Sequence, residues 1–219
     1  MTLILTALCK NGICICADKR SITWTNGVLD KIEDNLNKLY KFNEIPLIIF
    51  NHGVNKFNNK SWETLCTGYE KSDRWKNKSL KEIVDDFKDF VNEDIVRQLN
   101  ININNMPNVV GVRQTNFVLC GKDLSSGKYG FYELRWSPEY SSNSWQDTRL
   151  IVSGEGYEKY LKQHLLNNSQ LNTAEVWGTR TVQQAISELK KLFSIALDNR
   201  KKVGGNEFSD NFDTEYLFD

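Results

Sequence analysis

The sequence predicts an α+β protein: a four-layer αββα sandwich of two antiparallel sheets covered by helices, formed by a single domain over residues 1–219. Three observations predict it. The first strands are apolar on both faces, as strands at the centre of a covered sheet are. Hairpin-like strand pairs occur in both halves of the chain, and amphipathic helices separate and follow them. No Pro/Gly/Ser-rich linker and no internal repeat divides the chain.

The elements follow in order. Leu3 to Cys9 is almost wholly apolar, and Ile13-Cys14-Ile15-Cys16-Ala17 repeats that character after Asn11-Gly12. Asn-Gly between two strands signals a type I′ hairpin turn, because both central residues need positive φ. Leu39 to Phe42 and Ile45 to Phe50 read as a second hairpin, broken at Asn43-Glu44. His52 to Lys78 is polar and irregular, with a short helix near Trp62 to Leu65. Ser79-Leu80-Lys81-Glu82 is a capping box. It opens a helix with Leu80, Ile83, Val84, Phe87, Val91 and Ile95 on one stripe. Asn100 to Asn108 reads as loop, and Val109 to Cys120 and Lys128 to Trp136 as strands around an Asp-Leu-Ser-Ser-Gly turn. Leu150 to Val152 is a short buried strand, followed by a helix over Tyr157 to Leu166. Thr181 to Asp198 is a second strong helix, with Val182, Ala185, Ile186, Leu189, Phe193, Ala196 and Leu197 inward, and Phe208 to Phe218 is a last strand.

Composition narrows the function. Lys+Arg and Asp+Glu both number 28, so the formal net charge is zero, which points away from nucleic acid or an anionic membrane as the main partner. The same balance does little to hold copies of the chain apart. Five cysteines at unpaired spacings read as free thiols of a reducing compartment, and with two histidines no metal-ligand pattern arises. The apolar start lacks a basic flank and is too short to span a bilayer, and no later stretch is long and apolar enough to do so. The expected localisation is cytoplasmic.

Several residues carry chemistry. Thr2 follows the initiator Met on a buried strand; Ala17-Asp18-Lys19-Arg20 ends the second strand; Asn37-Lys38-Leu39-Tyr40 opens the third. In this order and spacing, residues 2–53 resemble proteasome β subunits and the related bacterial ring protease, with weaker agreement over 109–218 and only a helical match over 54–108. The resemblance implies an N-terminal-nucleophile hydrolase fold and a threonine peptidase or amidase that needs no cofactor. It implies Thr2 as nucleophile once Met1 is removed, with Lys38 as electrostatic activator and Asp18 as its partner. The chemistry agrees. A hydroxyl needs a base, an α-amine titrating near about 7.7–8.0 can serve, and a cation beside the hydroxyl favours its ionisation. Lys31 is the rival lysine, and a purely structural Asp18–Lys38 or Asp18–Arg20 pair is the alternative to catalysis.

The resemblance further implies an oxyanion donor after the fourth strand, where Asn51-His52-Gly53 offers Gly53, or His52 in another alignment. Three departures stand out. Asn-His-Gly replaces smaller residues. Ser153-Gly154-Glu155-Gly156 stands where the family has Gly-Ser-Gly, with Glu155 in the Ser place, or Ser153 in a slipped register. After the last helix the chain has Gly204-Gly205 and Asp198 but not the family's Ser. Arg20, Gly154, Glu155 and Asp198 are therefore the expected supporting residues. The implied assembly is a homo-oligomeric ring enclosing sites for a polypeptide or other amide substrate, with an ATPase or other regulator left open. Rival readings are a transpeptidase or ligase and a catalytically inactive scaffold subunit. No GxGxxG, P-loop, HExxH or GxSxG motif competes.

Overall fold

A computed structural model describes residues 2–25, 28–105, 114–137, 139–147 and 149–219. The chain opens with the antiparallel hairpin β1 (Ile4–Cys9) and β2 (Gly12–Asp18), both wholly buried. β3 (Ser21–Thr25) and β4 (Val28–Glu33) form a two-stranded ribbon. β5 (Leu39–Lys41) and β6 (Leu47–Gly53) follow. β7 (Lys56–Phe57) and β8 (Lys60–Ser61) make a small hairpin over Asn58 and Asn59, whose φ of 48° and 64° lie where asparagine is tolerated. Then come α1 (Trp62–Lys71) and α2 (Leu80–Asn105), and the meander β9 (Thr115–Lys122), β10 (Tyr129–Ser137) and β11 (Glu139–Trp145). β12 (Arg149–Ser153), α3 (Glu155–Tyr160), α4 (Lys162–Asn167), α5 (Ala174–Thr179), α6 (Val182–Lys202) and β13 (Phe212–Phe218) complete the chain.

These elements build two compact units. One comprises residues 1–23, 30–39 and 146–219; the other comprises 24–29 and 40–145. The first holds an antiparallel sheet in the order β12-β1-β2-β13. Its core joins Leu3, Leu5, Cys14 and Cys16 to the α6 stripe Val182, Ala185, Leu189, Phe193 and Ala196. The second holds a sheet ordered β11-β10-β9-β6-β5. Its core packs Leu47, Ile49, Phe117, Leu119 and Leu134 on the α2 stripe Leu80, Ile83, Val84, Phe87, Val91 and Ile95. The Ser79–Glu82 capping box forms, with the Ser79 N–H donating to Glu82 Oε2 at 2.8 Å. The α+β class and the antiparallel sheets agree with the sequence expectation; six α-helices form among the described residues where four were expected, because the helix after β12 is split and α5 is added.

Local expectations needed correction. The first hairpin turns on Lys10-Asn11, with Cys9 opposite Gly12, and none of these residues has positive φ, so no type I′ turn forms. Asn11 and Gly12 are required for contacts instead. Asn11 Oδ1 accepts the Val182 N–H at the start of α6 at 3.1 Å. A Cβ on Gly12 would lie 2.2 Å from the Leu217 carbonyl oxygen and 2.6 Å from Val182 Cγ2. Residues read as loop after Asn100 continue α2 to Asn105, while 106–113, including the start of the strand expected from Val109, lie outside the described residues. The helix expected over Tyr157 to Leu166 is split at Leu161 into α3 and α4. Polar, exposed β11 carries no apolar alternation and pairs as an edge strand beyond β10.

Gly12→Ala is expected to cost about 1–3 kcal/mol, because a methyl there meets backbone on a buried strand. Gly127 has positive φ but nothing within 4 Å of its Cβ position, so Gly127→Ala carries conformational strain alone. Urea denaturation of both variants should show the larger loss at Gly12.

Candidate active site

The site is built where β1 begins and β2 ends. The antiparallel register sets Ile4 opposite Ala17, so Thr2 and Asp18 meet just beyond the last pair. Asp18 has no exposed surface. A carboxylate so buried must be satisfied by donors, and five groups do this. Asp18 Oδ2 accepts the Thr2 hydroxyl at 3.0 Å, the Leu3 N–H at 2.8 Å and Lys38 Nζ at 2.9 Å. Asp18 Oδ1 accepts the Arg20 N–H at 2.8 Å and the Ser209 N–H at 3.4 Å. Lys38 Nζ also donates to Thr2 Oγ1. The hydroxyl of a nearly buried threonine thus sits between an ammonium and a carboxylate.

Lys38 immediately precedes β5, and its side chain is 11% exposed. Burial pushes the Lys38 ammonium below its ordinary value; the charge and hydrogen bond of Asp18 pull it back in part, and the Arg20 charge adds to the lowering. The rival Lys31 is exposed on β4 and pairs with Glu33 at 2.7 Å. Of the two lysines, Lys38 is the one brought to Thr2.

Arg20 makes a forked ion pair with Asp34, Nε to Oδ1 at 2.5 Å and Nη2 to Oδ2 at 2.8 Å, and its Nη1 donates to the Asn206 carbonyl. The Asp34 hydrogen bonds hold the guanidinium proton more tightly than usual, and Arg20 holds the Asp34 carboxyl below its usual range. Gly154, at φ 96°, lies against Thr2: a Cβ there would be 2.1 Å from the Thr2 carbonyl oxygen. The Gly156 N–H donates to that oxygen at 3.2 Å. The Gly-x-Gly turn thereby grips the Thr2 backbone. Glu155 opens α3, and its side chain lies outside the described residues, as does Met1. Ser153 stays in the ladder opposite Ile4.

Asp198 does not join the site. The buried stripe of α6 runs through Leu189, Phe193, Ala196 and Arg200, which leaves Asp198 on the exposed face. Ser209 stands at the site instead, donating its N–H to Asp18 and accepting the Lys19 N–H on its hydroxyl at 2.9 Å. Its only signal in the sequence is a Ser-Asp-Asn turn cluster before the last strand. Gly53 ends β6 in the other unit, at φ 94° and paired with Thr115. Its assignment as oxyanion donor rests on the resemblance alone. His52 shares the end of that strand and receives an Asn116 amide contact at 3.1 Å.

No protein-family model matches the chain, and no curated protein matches it. Solved structures do. The Anbu (Gly-1) mutant from Hyphomicrobium sp. strain MC1 is similar at a TM-score of 0.63 and 16% identity, covering 100% of this chain and 82% of that one. Anbu (ancestral beta-subunit) from Yersinia bercovieri is similar at 0.63 and 16%, covering 98% and 81%. The fold is therefore proteasome-like. These neighbours correct the family resemblance drawn from residues 2–53. Anbu proteins are proteasome-like but a distinct family, so the chain is not assigned to the proteasome β subunits or the related ring protease. The physical reason is that the meeting of Thr2, Asp18 and Lys38 follows from how β1, β2 and β5 are placed, and a fold does not by itself fix the family.

Stability should report the Lys38 environment. Between its lowered folded value and the ordinary 10.5, the unfolded chain holds more protons than the folded one, so this lysine's contribution to stability rises with pH. The urea midpoint of the wild type, measured relative to Lys38→Met, is expected to climb as pH rises towards the ordinary lysine value. A relative midpoint that falls over that range contradicts the assignment.

Proposed function

We propose that this protein is a threonine-type N-terminal-nucleophile hydrolase that cleaves amide bonds through Thr2 after removal of Met1. The observation that carries the reading is the Thr2 hydroxyl held between Lys38 Nζ and Asp18 Oδ2. In this reading Thr2 Oγ1 attacks the substrate carbonyl carbon while the free α-amine takes the hydroxyl proton. The Lys38 charge stabilises the developing alkoxide, and Asp18 orients Lys38. The tetrahedral intermediate collapses, the departing amine takes the proton, and an acyl ester remains on Thr2. Water, activated by the same amine, then releases the acid and restores the hydroxyl. No cofactor enters the scheme. A four-layer αββα stacking of the two sheets and assembly into a homo-oligomeric ring belong to the same reading, and the polypeptide substrate would be enclosed by that ring.

Two experiments test it. A threonine-directed electrophile should label the wild type at Thr2, leave Thr2→Ala unlabelled, and react with folded Lys38→Ala about 10²–10³ slower. A folded Lys38→Ala that labels at the wild-type rate contradicts the role of Lys38, and a wild type that never labels favours an inactive scaffold. Light scattering at micromolar concentration should give a mass several times the 25.4 kDa chain. A monomer contradicts the ring.

A further inference from the structure

We propose that Arg200 is a positioning residue for the Thr2–Lys38–Asp18 site, locking the turn between α6 and β13 so that Ser209 stays on Asp18. The inference rests on the catalytic reading of that site and adds a residue which touches none of the reacting groups.

The turn brings Ser209 to Asp18 with little regular structure of its own. Between the end of α6 at Lys202 and the start of β13 at Phe212 no helix or strand forms. Its hold comes from side chains. Arg200 is 5% exposed, although it is a charged residue at the C-terminal end of a helix. A buried guanidinium is retained only when paired, and its partner is Asp210, directly after Ser209. The flat face of Arg200 lies 4.9 Å from the ring centre of Phe208, directly before Ser209. Phe208 is itself fully buried and packs edge-on against Tyr160 and Phe193. One side chain therefore grips both neighbours of Ser209. The Gly205 N–H also returns to the Arg200 carbonyl at 3.0 Å, closing the start of the turn on the same residue.

On the far side Arg20 holds the turn through the Asn206 carbonyl while its own N–H donates to Asp18. Asp18 Oδ1 thus receives two N–H donors, one from Arg20 and one from the turn that Arg200 fixes. Freeing the turn removes one of them and leaves less constrained the carboxylate whose other oxygen, Oδ2, meets Lys38. Among the described residues, Arg200 Nε and Nη1 have no hydrogen-bond partner. Its contribution to the turn is thus the stacking and the Asp210 pair, which a shorter or uncharged side chain would not reproduce.

Hydrogen exchange and Thr2 labelling test this on the full chain. In Arg200→Met the Ser209 amide should exchange at least about tenfold faster, while α6 amides such as those of Leu189 and Phe193 keep their wild-type protection. Electrophile labelling at Thr2 should slow by about tenfold to a hundredfold. Arg200→Lys, which restores the charge facing Asp210 but not the flat face, should regain part of both losses. If Arg200→Met does not fold, Asp210→Asn serves, and it should speed Ser209 exchange in the same direction. Ser209 exchange that is unchanged in a folded variant, or that changes only together with the α6 amides, overturns the proposal. A wild type that fails to label contradicts the catalytic reading alone, since Ser209 exchange still decides the role of Arg200.

Discussion

A carboxylate with no exposed surface organises one end of the first unit. Asp18 is the last residue of β2, a strand buried along its whole length. An ionised group there is tolerated only if hydrogen bonds replace its water. That requirement draws in the start of β1 through Thr2 and Leu3, the segment before β5 through Lys38, and the turn before β13 through Ser209. Segments far apart in the chain meet because one oxygen pair needs donors. The chemistry uses the same geometry: the Thr2 hydroxyl is both one of the donors and the group beside the Lys38 ammonium.

The β-strand hairpin that supports this arrangement is itself held by close approach. Gly12 lets β13 and α6 come within contact of β2, and Asn11 bonds the first turn of α6. At the other end of the hairpin, Gly154 allows the turn after β12 to lie on the Thr2 backbone. Glycine is needed at both places because neighbouring backbone occupies the space a side chain would fill.

Much of the fold was legible because it follows from periodicity. The apolar strands β1 and β2, the α2 stripe from Leu80 to Ile95 and the α6 stripe from Val182 to Ala196 are long and regular. Of the site, Thr2, Asp18 and Lys38 were legible from their order and spacing, and the structure brings them together. Other parts were hidden. Asn-Gly signalled a left-handed turn, but tertiary contacts at Val182 and Leu217 decided its use. β11 has no alternation, since an exposed edge strand does not need one. Ser209 reaches the site through a long-range turn, which local sequence does not encode, while Asp198 was misplaced because it lies off the buried stripe of its helix. The motif positions gave the proteasome-like fold but not the family, since the similar solved structures are Anbu proteins at 16% identity.

The account stands or falls on the chemical state of Thr2. With Met1 in place, the nitrogen of Thr2 is an amide and cannot act as a base. Intact mass spectrometry of the purified protein reads this directly. The account predicts a homogeneous mass that lacks Met1. A homogeneous mass that retains Met1 contradicts it.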